Sequence, residues 1–162
     1  MNRAVANHWS RPLAVCTGAG AVLIGVLVIV GCCVGNRFLI QVQPGFAPMQ
    51  FNTALALILA GVGILNAVMW ETRFVSLGTG LLCTALGGLT AAQYAGVGNF
   101  AIDEFFFSHY VLDHTAPPGR MGPNTALCCI LAGLALLLIC PPRTSQRKIS
   151  AIGLLGALQI AI

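Results

Sequence analysis

The chain has 162 residues, of which 57% are hydrophobic and only 7% are charged, and its formal net charge is +4. Soluble globular domains carry about 25% charged residues, so this composition and the mean hydropathy of +0.89 argue against an ordinary soluble domain and indicate a membrane protein. The basic excess comes without a helix-turn-helix, zinc-finger or basic-aromatic pattern, so the sequence does not indicate nucleic acid as a partner.

Four long uncharged runs follow one another along the chain, and each is a candidate membrane-spanning helix. They cover residues 12–36, 51–70, 74–99 and 124–142, and a spanning helix needs about 20 predominantly apolar residues. A fifth apolar run, residues 149–162, is shorter. We expect it to be a partial span of a chain that was cut, with a short or interfacial helix as the alternative. The sequence therefore predicts an all-α polytopic membrane helical bundle with four to five transmembrane helices, forming one domain over residues 1–162.

Lysine and arginine are unevenly distributed among the connections between these runs. Most of them precede the first run, separate the second from the third, or separate the fourth from the fifth: Arg3, Arg11, Arg73, Arg143, Arg147 and Lys148. Only Arg37 and Arg120 lie in the other connections. Because cytoplasmic loops carry the excess of lysine and arginine, we predict a multi-pass protein of the bacterial inner membrane whose N-terminus is cytoplasmic.

One phrase occurs twice in the chain. Met-x-x-Asn-Thr-Ala-Leu begins at Met49 and again at Met121, and both copies continue into Ile-Leu-Ala-Gly. The copies begin the second and the fourth run, so both enter the membrane from the same side under the predicted topology. The sequence thus predicts parallel hairpin repeats over residues 12–70 and 74–142, with the partial fifth span after them.

In each copy the asparagine stands where the helix is predicted to begin. Asn is a favourable N-cap residue, because its side-chain oxygen accepts a hydrogen bond from an unpaired N–H of the first turn. We therefore interpret Asn52 and Asn124 as helix caps. The functional alternative is that the two helix N-termini bind an anionic ligand or a partner's carboxylate. The small residues that follow, among them Gly61 and Gly133, allow membrane helices to pack closely.

The connection between the third and fourth runs is the one stretch that gathers ionisable side chains. A short amphipathic helix is predicted there, with an aromatic anchor at the membrane interface. Its apolar face can be shared by four residues, Ile102, Phe105, Phe106 and Tyr110. The alternative is a ligand-binding or pH-responsive loop that uses the histidines and carboxylates. The candidate ligand-binding or interface residues are Asp103, Glu104, Phe106, His109, Tyr110 and His114. The two histidines are not at the i, i+4 spacing that favours a shared metal, and no metal site is predicted.

Sequence patterns typical of catalysis are missing from the chain. It contains no Ser-His-Asp order, glycine-rich phosphate loop, His-Glu-x-x-His or Cys-x-x-Cys. The seven cysteines lie in the apolar runs or at their ends, fit no zinc spacing, and are expected to be small packing residues. Ionisable groups are nearly absent from the runs, so no proton or ion pathway is indicated. We predict neither an enzyme nor a cofactor.

The residues around the second copy of the phrase carry a family resemblance. Ile102-Asp103-Glu104, with Gly119-Arg120-Met121 and Pro123-Asn124-Thr125-Ala126-Leu127, resembles the N-terminal multi-span sensor region of bacterial PAS-containing histidine kinases and diguanylate cyclases. The weaker copy from Met49 to Leu55 supports it. The resemblance implies further spans and cytoplasmic signalling domains beyond residue 162.

The leading functional prediction is a non-enzymatic membrane module, the sensory input or anchoring region of a bacterial signalling protein. The alternative is a small accessory or structural subunit of a respiratory or photosynthetic membrane complex. A transporter ranks third because intramembrane charge is lacking. The expected partners are the lipid bilayer and other transmembrane helices or a homo-oligomer, with pigments or lipids as further contacts.

Overall fold

The computed structural model describes residues 3–41, 48–100, 102, 119–139 and 146–162, together with the side chains of 11–41, 48–100, 102, 119–139, 152 and 154–162. Every regular element in these ranges is a helix, as predicted. In chain order they are α1 (Arg3–Val34), α2 (Arg37–Ile40), α3 (Phe51–Met69), α4 (Arg73–Tyr94), α5 (Pro123–Ile139) and α6 (Gln146–Ala161). The five long helices correspond to the five apolar runs.

Within the described part of the chain, three helices are long and apolar enough to cross a membrane. They are the segment Arg11–Val34 of α1, the whole of α3 and the whole of α4. The apolar helix α5 has 17 residues and is shorter than a typical spanning helix of about 20 residues. Length and composition therefore indicate a membrane protein.

The helices pack as neighbours along the chain. The most extensive contacts join α1 to α3 and α4 to α5, which makes two helical hairpins. Helix α3 connects the hairpins through contacts with α4 and α5, and α6 packs on α5. Among the described residues, α1 contacts neither α4 nor α5. The bundle is therefore open, with α1 and α6 at its two edges.

Within each hairpin, the backbones of the two helices approach each other closely, and they do so at equivalent residues. A Cβ atom added to Gly18 would lie 3.1 Å from the carbonyl oxygen of Gly61, and one added to Gly80 would lie 3.0 Å from that of Gly133. At such distances a Cβ atom fits only if the neighbouring backbone moves away by a few tenths of an ångström. Van der Waals packing and close approach through small residues are what associate helices in an apolar solvent.

A second equivalent contact lies two turns further along each hairpin. A Cβ atom on Gly25 would lie 2.7 Å from the oxygen of Ala54, and one on Gly87 would lie 2.5 Å from that of Ala126. From the first hairpin to the second, equivalent residues are offset by the same number of sequence positions at both contacts. The internal repeat therefore extends to the first helix of each hairpin, where Arg-x5-Thr-Gly-x6-Gly begins at Arg11 and at Arg73.

The first helix of each hairpin also ends in the same way. Gly35 has a φ of 71° and Gly96 a φ of 78°. The next N–H in each case reaches back into the last turn, from Asn36 to Gly31 at 2.9 Å and from Val97 to Ala92 at 3.1 Å. These are Schellman motifs, which place glycine in the left-handed region. This explains why α4 ends before the apolar run does.

The turn between α3 and α4 is organised by a buried amide. Asn66 Nδ2 donates hydrogen bonds of 2.8 Å to the Thr72 carbonyl and to Ser76 Oγ, while the Asn66 carbonyl accepts from the N–H groups of Trp70 and Glu71. One side chain thus joins the end of α3 to the start of α4. This end of the bundle is called the turn end below.

Candidate functional site

The predicted site residues divide between described and undescribed parts of the chain. Asp103, Glu104, Phe106, His109, Tyr110 and His114 lie outside the described residues, as do most positions of the predicted amphipathic helix. Asn52 and Asn124 are described. Residues on either side of the segment 103–118, and the helix residues that they contact, are described and lie at the end of the bundle away from the turn end. This set of residues, the loop base, consists of Asn52, Gln93, Tyr94, Asn99, Ile102, Arg120 and Met121.

Asn52 is the buried centre of the loop base. Its side chain is 1% exposed, and Nδ2 donates a hydrogen bond of 2.8 Å to the carbonyl oxygen of Ile102. The N-cap of α3 is Gln50, whose backbone is extended. The cap interpretation of Asn52 is therefore wrong, because the helix begins one residue before it. At the second helical position its side chain is directed into the bundle, where it meets the connection between α4 and α5.

Asn124 occupies the equivalent helical position but not the equivalent environment. Helix α5 begins at Pro123, and the Ala126 N–H donates to the Gly122 carbonyl at 3.0 Å, so the chain before Asn124 is already in the first turn. Its cap interpretation is wrong for the same reason. The Asn124 side chain is exposed. The repeated phrase therefore places one asparagine in the interior and the other on the surface.

Tyr94, the last residue of α4, holds the chain where it returns to the bundle. Its hydroxyl donates to the Met121 carbonyl at 3.2 Å, and the Arg120 guanidinium carbon lies 5.6 Å from the centre of its ring. That distance is within the range of a cation–π interaction. Met121 itself is buried in the core that α3, α4 and α5 share, beside Ala56 and Cys83. The return of the chain is thus anchored by a polar and an apolar contact.

A second side-chain amide, that of Gln93, fixes the segment that follows α4. Gln93 is buried, and its Nε2 donates to Asn99 Oδ1 at 3.1 Å. With Asn52 on Ile102, this gives the outgoing connection two side-chain contacts before residue 103. Gln93, Tyr94, Asn99 and Arg120 were not among the sequence-based candidates. No motif identifies them; the available signal was their position next to the ionisable segment.

The loop base holds both ends of the ionisable segment on different helices. The outgoing end is bonded to α3 through Asn52, and the returning end is bonded to α4 through Tyr94. A change in the position of either end must therefore disturb one of these partly buried hydrogen bonds or move a helix. Around these residues, within the described chain, no group of His, Cys, Asp and Glu is arranged to hold a metal ion.

An apolar cavity of about 430 Å³ lies at the turn end, between α1, α3 and α4. Val22, Val62, Leu65 and Trp70 contribute to its lining, together with Asn66, Thr72 and Val75. Both side-chain N–H groups of Asn66 are used by Thr72 and Ser76. The cavity therefore offers apolar surface rather than a set of convergent polar groups of the kind that fix a ligand's orientation.

No protein-family model, curated protein or solved structure matches the chain.

Proposed function

We propose that the chain is a non-enzymatic membrane module that acts as the sensory input or the anchoring region of a bacterial signalling protein. In this proposal it crosses the inner membrane four or five times with a cytoplasmic N-terminus. The observation that supports it best is the attachment of both ends of residues 103–118 to helices of the bundle, at the buried Asn52 of α3 and at Tyr94 of α4. A binding event on that segment would then act directly on the packing of the two hairpins.

The physical requirement for such a sensor is a differential interaction. A ligand shifts an equilibrium between two helix arrangements only by its difference in affinity for them. The Asn52–Ile102 bond supplies a difference, since the segment's outgoing end can be held in one arrangement and released in another. Under the lysine and arginine distribution, this segment faces the outside of the cell, where an input would arrive.

The second candidate is an accessory subunit that packs in a larger membrane complex, and the exposed apolar side chains favour it. Leu23, Phe74, Leu81 and Leu82 are each more than half exposed. In a bilayer such side chains contact lipid or a partner's helices. Phe106 and Tyr110 would then dock on the neighbour, because aromatic residues are enriched in interface cores and charged residues are depleted there.

Titration of the segment separates the two candidates. The full chain in lipid nanodiscs is compared at pH 5.5 and 7.5, with and without Zn²⁺, by hydrogen exchange of α3 and α4. Under the sensor proposal, protection near the loop base changes with pH or zinc. Replacement of His109 and His114 by Gln removes this response while the protein still inserts, since histidine is the side chain whose charge ordinarily changes between about pH 5 and 8. His8→Gln is the matched control and keeps the response.

The accessory-subunit proposal expects the opposite pattern. The double Gln variant leaves assembly unchanged, whereas Phe106→Ala with Tyr110→Ala releases the chain from the complex purified from native membrane. Interface anchors of this kind each contribute about 2 kcal/mol or more. If protection in the unmodified chain changes with neither pH nor zinc, the sensor proposal in its titrating form is contradicted.

A further inference from the structure

The cavity at the turn end is open along the side of the bundle. It lies between α1, α3 and α4, and in the described part of the chain α1 makes no contact with α4. The two helices therefore leave a gap beside α3, and Val75 of α4 lines this gap while being 38% exposed. In a membrane, such an opening meets the acyl chains of the surrounding lipid.

The size and depth of the cavity suit one acyl chain. Its volume of about 430 Å³ lies within the range of about 300–1,000 Å³ that is usual for ligand-binding cavities. Its lining includes Val62 and Trp70, which are separated by roughly 12 Å at a helical rise of about 1.5 Å per residue. One leaflet of hydrocarbon is roughly 15 Å thick. A chain in this cavity therefore stays within one leaflet.

The lining of the cavity requires no polar partner from a ligand. Asn66 contributes the one side-chain amide, and both of its N–H groups already donate to groups of the protein. Most of the other lining side chains are valine, leucine or tryptophan. An acyl chain fills such a space with dispersion contacts and leaves no polar group unpaired.

An arginine lies at the same end of the bundle as the cavity. Arg11 Nη2 donates to the Val68 carbonyl at 3.2 Å, two residues before Trp70 of the lining. Arg11 is exposed, and a guanidinium has five N–H donors in a geometry that matches phosphate oxygens. Arg73 is exposed at the same end, and the two arginines outnumber Glu71, the one acidic side chain that the structure describes. The charge at this end therefore favours an anion.

We propose that the turn end binds one anionic phospholipid, with an acyl chain in the cavity and the phosphate on Arg11. Trp70 lines the cavity and is 66% exposed, and tryptophan is enriched at the depth of the headgroups. Basic pockets between transmembrane helices on the cytoplasmic side bind anionic headgroups, and the proposed topology places the turn end there.

The bound lipid would stabilise the arrangement of the two hairpins. Its acyl chain would fill the space between α1 of the first hairpin and α4 of the second, which do not contact each other in the described chain. The inference rests on the proposed membrane location and adds a lipid ligand at the end of the bundle opposite the ionisable segment.

The test uses Trp70 as the reporter of a chain in the cavity. The full chain with Trp9→Phe, which leaves Trp70 as the single tryptophan, is placed in phosphatidylcholine nanodiscs that contain a fraction of lipid with brominated acyl chains. Bromine quenches tryptophan fluorescence on contact. Brominated phosphatidylcholine reports ordinary contact with the surrounding lipid. Brominated phosphatidylglycerol is expected to bind about fivefold more tightly, which is the effect of one arginine near an anionic lipid.

Two pairs of variants separate the headgroup from the acyl chain. Arg11→Gln is expected to abolish the preference for phosphatidylglycerol, whereas Arg37→Gln, the same change of charge at the opposite end, leaves it intact. Val62→Phe fills the cavity and is expected to reduce quenching by phosphatidylglycerol to that by phosphatidylcholine. Val26→Phe, at an exposed position of α1 outside the lining, leaves quenching unchanged. Val75→Phe, at the edge of the cavity, repeats the test if Val62→Phe unfolds.

Several outcomes overturn the proposal. Equal quenching by the two lipids does so, as does an equal loss of preference in Arg11→Gln and Arg37→Gln. Unchanged quenching in Val62→Phe and Val75→Phe excludes an acyl chain from the cavity. Sodium phosphate, compared with sodium chloride at equal ionic strength, is expected to leave quenching unchanged, and displacement of the lipid by phosphate would show a site for the free ion instead. Failure of any of these tests leaves the pH and zinc responses of the histidine test unaffected.

Discussion

Asn52 and Ile102 join two segments of the chain that lie 50 residues apart. The Asn52 Nδ2 donates to the Ile102 carbonyl at 2.8 Å, and this bond connects the first hairpin to the connection within the second. The amide lies at the start of α3, where the repeated phrase begins. One residue thus links the repeat, the contact between hairpins and the ionisable segment.

Removal of this amide should destabilise the bundle. We expect Asn52→Ala to lower the free energy of unfolding by about 0.5–1.5 kcal/mol, because the partly buried hydrogen bond to the Ile102 carbonyl is lost. Asn124→Ala, at an exposed position, should change it by less than about 0.5 kcal/mol. Unfolding by sodium dodecyl sulfate from mixed micelles measures both values.

Asn52→Asp distinguishes the interior hydrogen bond from a helix cap. Asp is a good cap but has no N–H to donate, so the interior bond predicts that Asp is at least as damaging as Ala. A cap would tolerate Asp. Equal stability of Asn52→Asp and the unmodified chain would contradict the role assigned to this side chain.

Adjacent glycines of α4 should respond oppositely to the same substitution. Gly87→Ala places a Cβ atom 2.5 Å from the Ala126 carbonyl oxygen, and such overpacking typically costs about 1–3 kcal/mol. Gly88→Ala meets no atom within 4 Å and should be neutral or stabilising by up to about 1 kcal/mol, since Ala favours the helix. The same unfolding measurement decides, and comparable destabilisation by both variants would refute the predicted packing of α4 on α5.

The turn between α3 and α4 contains a residue with a strained backbone, and a substitution should remove this strain. Glu71 has a φ of 52°, a left-handed conformation that costs roughly 1–2 kcal/mol for a residue with a Cβ atom. Glycine adds roughly 0.4–1 kcal/mol of unfolded-chain entropy. We therefore expect Glu71→Gly to stabilise the chain by about 0.5–1 kcal/mol.

Gly35 provides the reciprocal control for Glu71. It has a φ of 71°, and an added Cβ atom would meet nothing within 4 Å. Gly35→Ala therefore tests backbone conformation alone and should destabilise by roughly 1 kcal/mol. Stabilisation by this substitution, measured under the same conditions, would argue against the left-handed geometry.

The predicted topology can be tested with reporters fused within the chain. A reporter after Ser145 should be active in the cytoplasm, and one near Pro118 should be active outside, because lysine and arginine are concentrated in the connections on the Ser145 side. Alkaline phosphatase and green fluorescent protein fusions give complementary readouts. Phosphatase activity at Ser145 would reverse the arrangement.

Hydropathy was sufficient to predict the helices but not all of their ends. The apolar runs correspond to α1, α3, α4, α5 and α6, because helix formation in an apolar segment depends on local composition and on pairing every backbone group within the segment. The apolar run predicts that α4 continues to residue 99, and this is wrong, since a Schellman glycine at Gly96 stops the helix inside an apolar stretch. The sequence alone does not distinguish the Arg-x5-Thr-Gly-x6-Gly repeat from a chance match, because its two copies share few other residues.

The sequence by itself determined the all-helical class, the order of the long helices and the small residues through which they pack. The tertiary structure alone decided that Asn52 is buried while Asn124 is exposed, that Tyr94 holds Arg120 and Met121, and that Cys83 lies against the carbonyl oxygen of Cys129. These outcomes depend on which neighbour covers each face of a helix. Helix α3 contacts α1 as well as α4 and α5, whereas Asn124 at the start of α5 is exposed. The same phrase therefore acquires different contacts in its two copies. Periodicity places a side chain on a face, and only packing determines what that face meets.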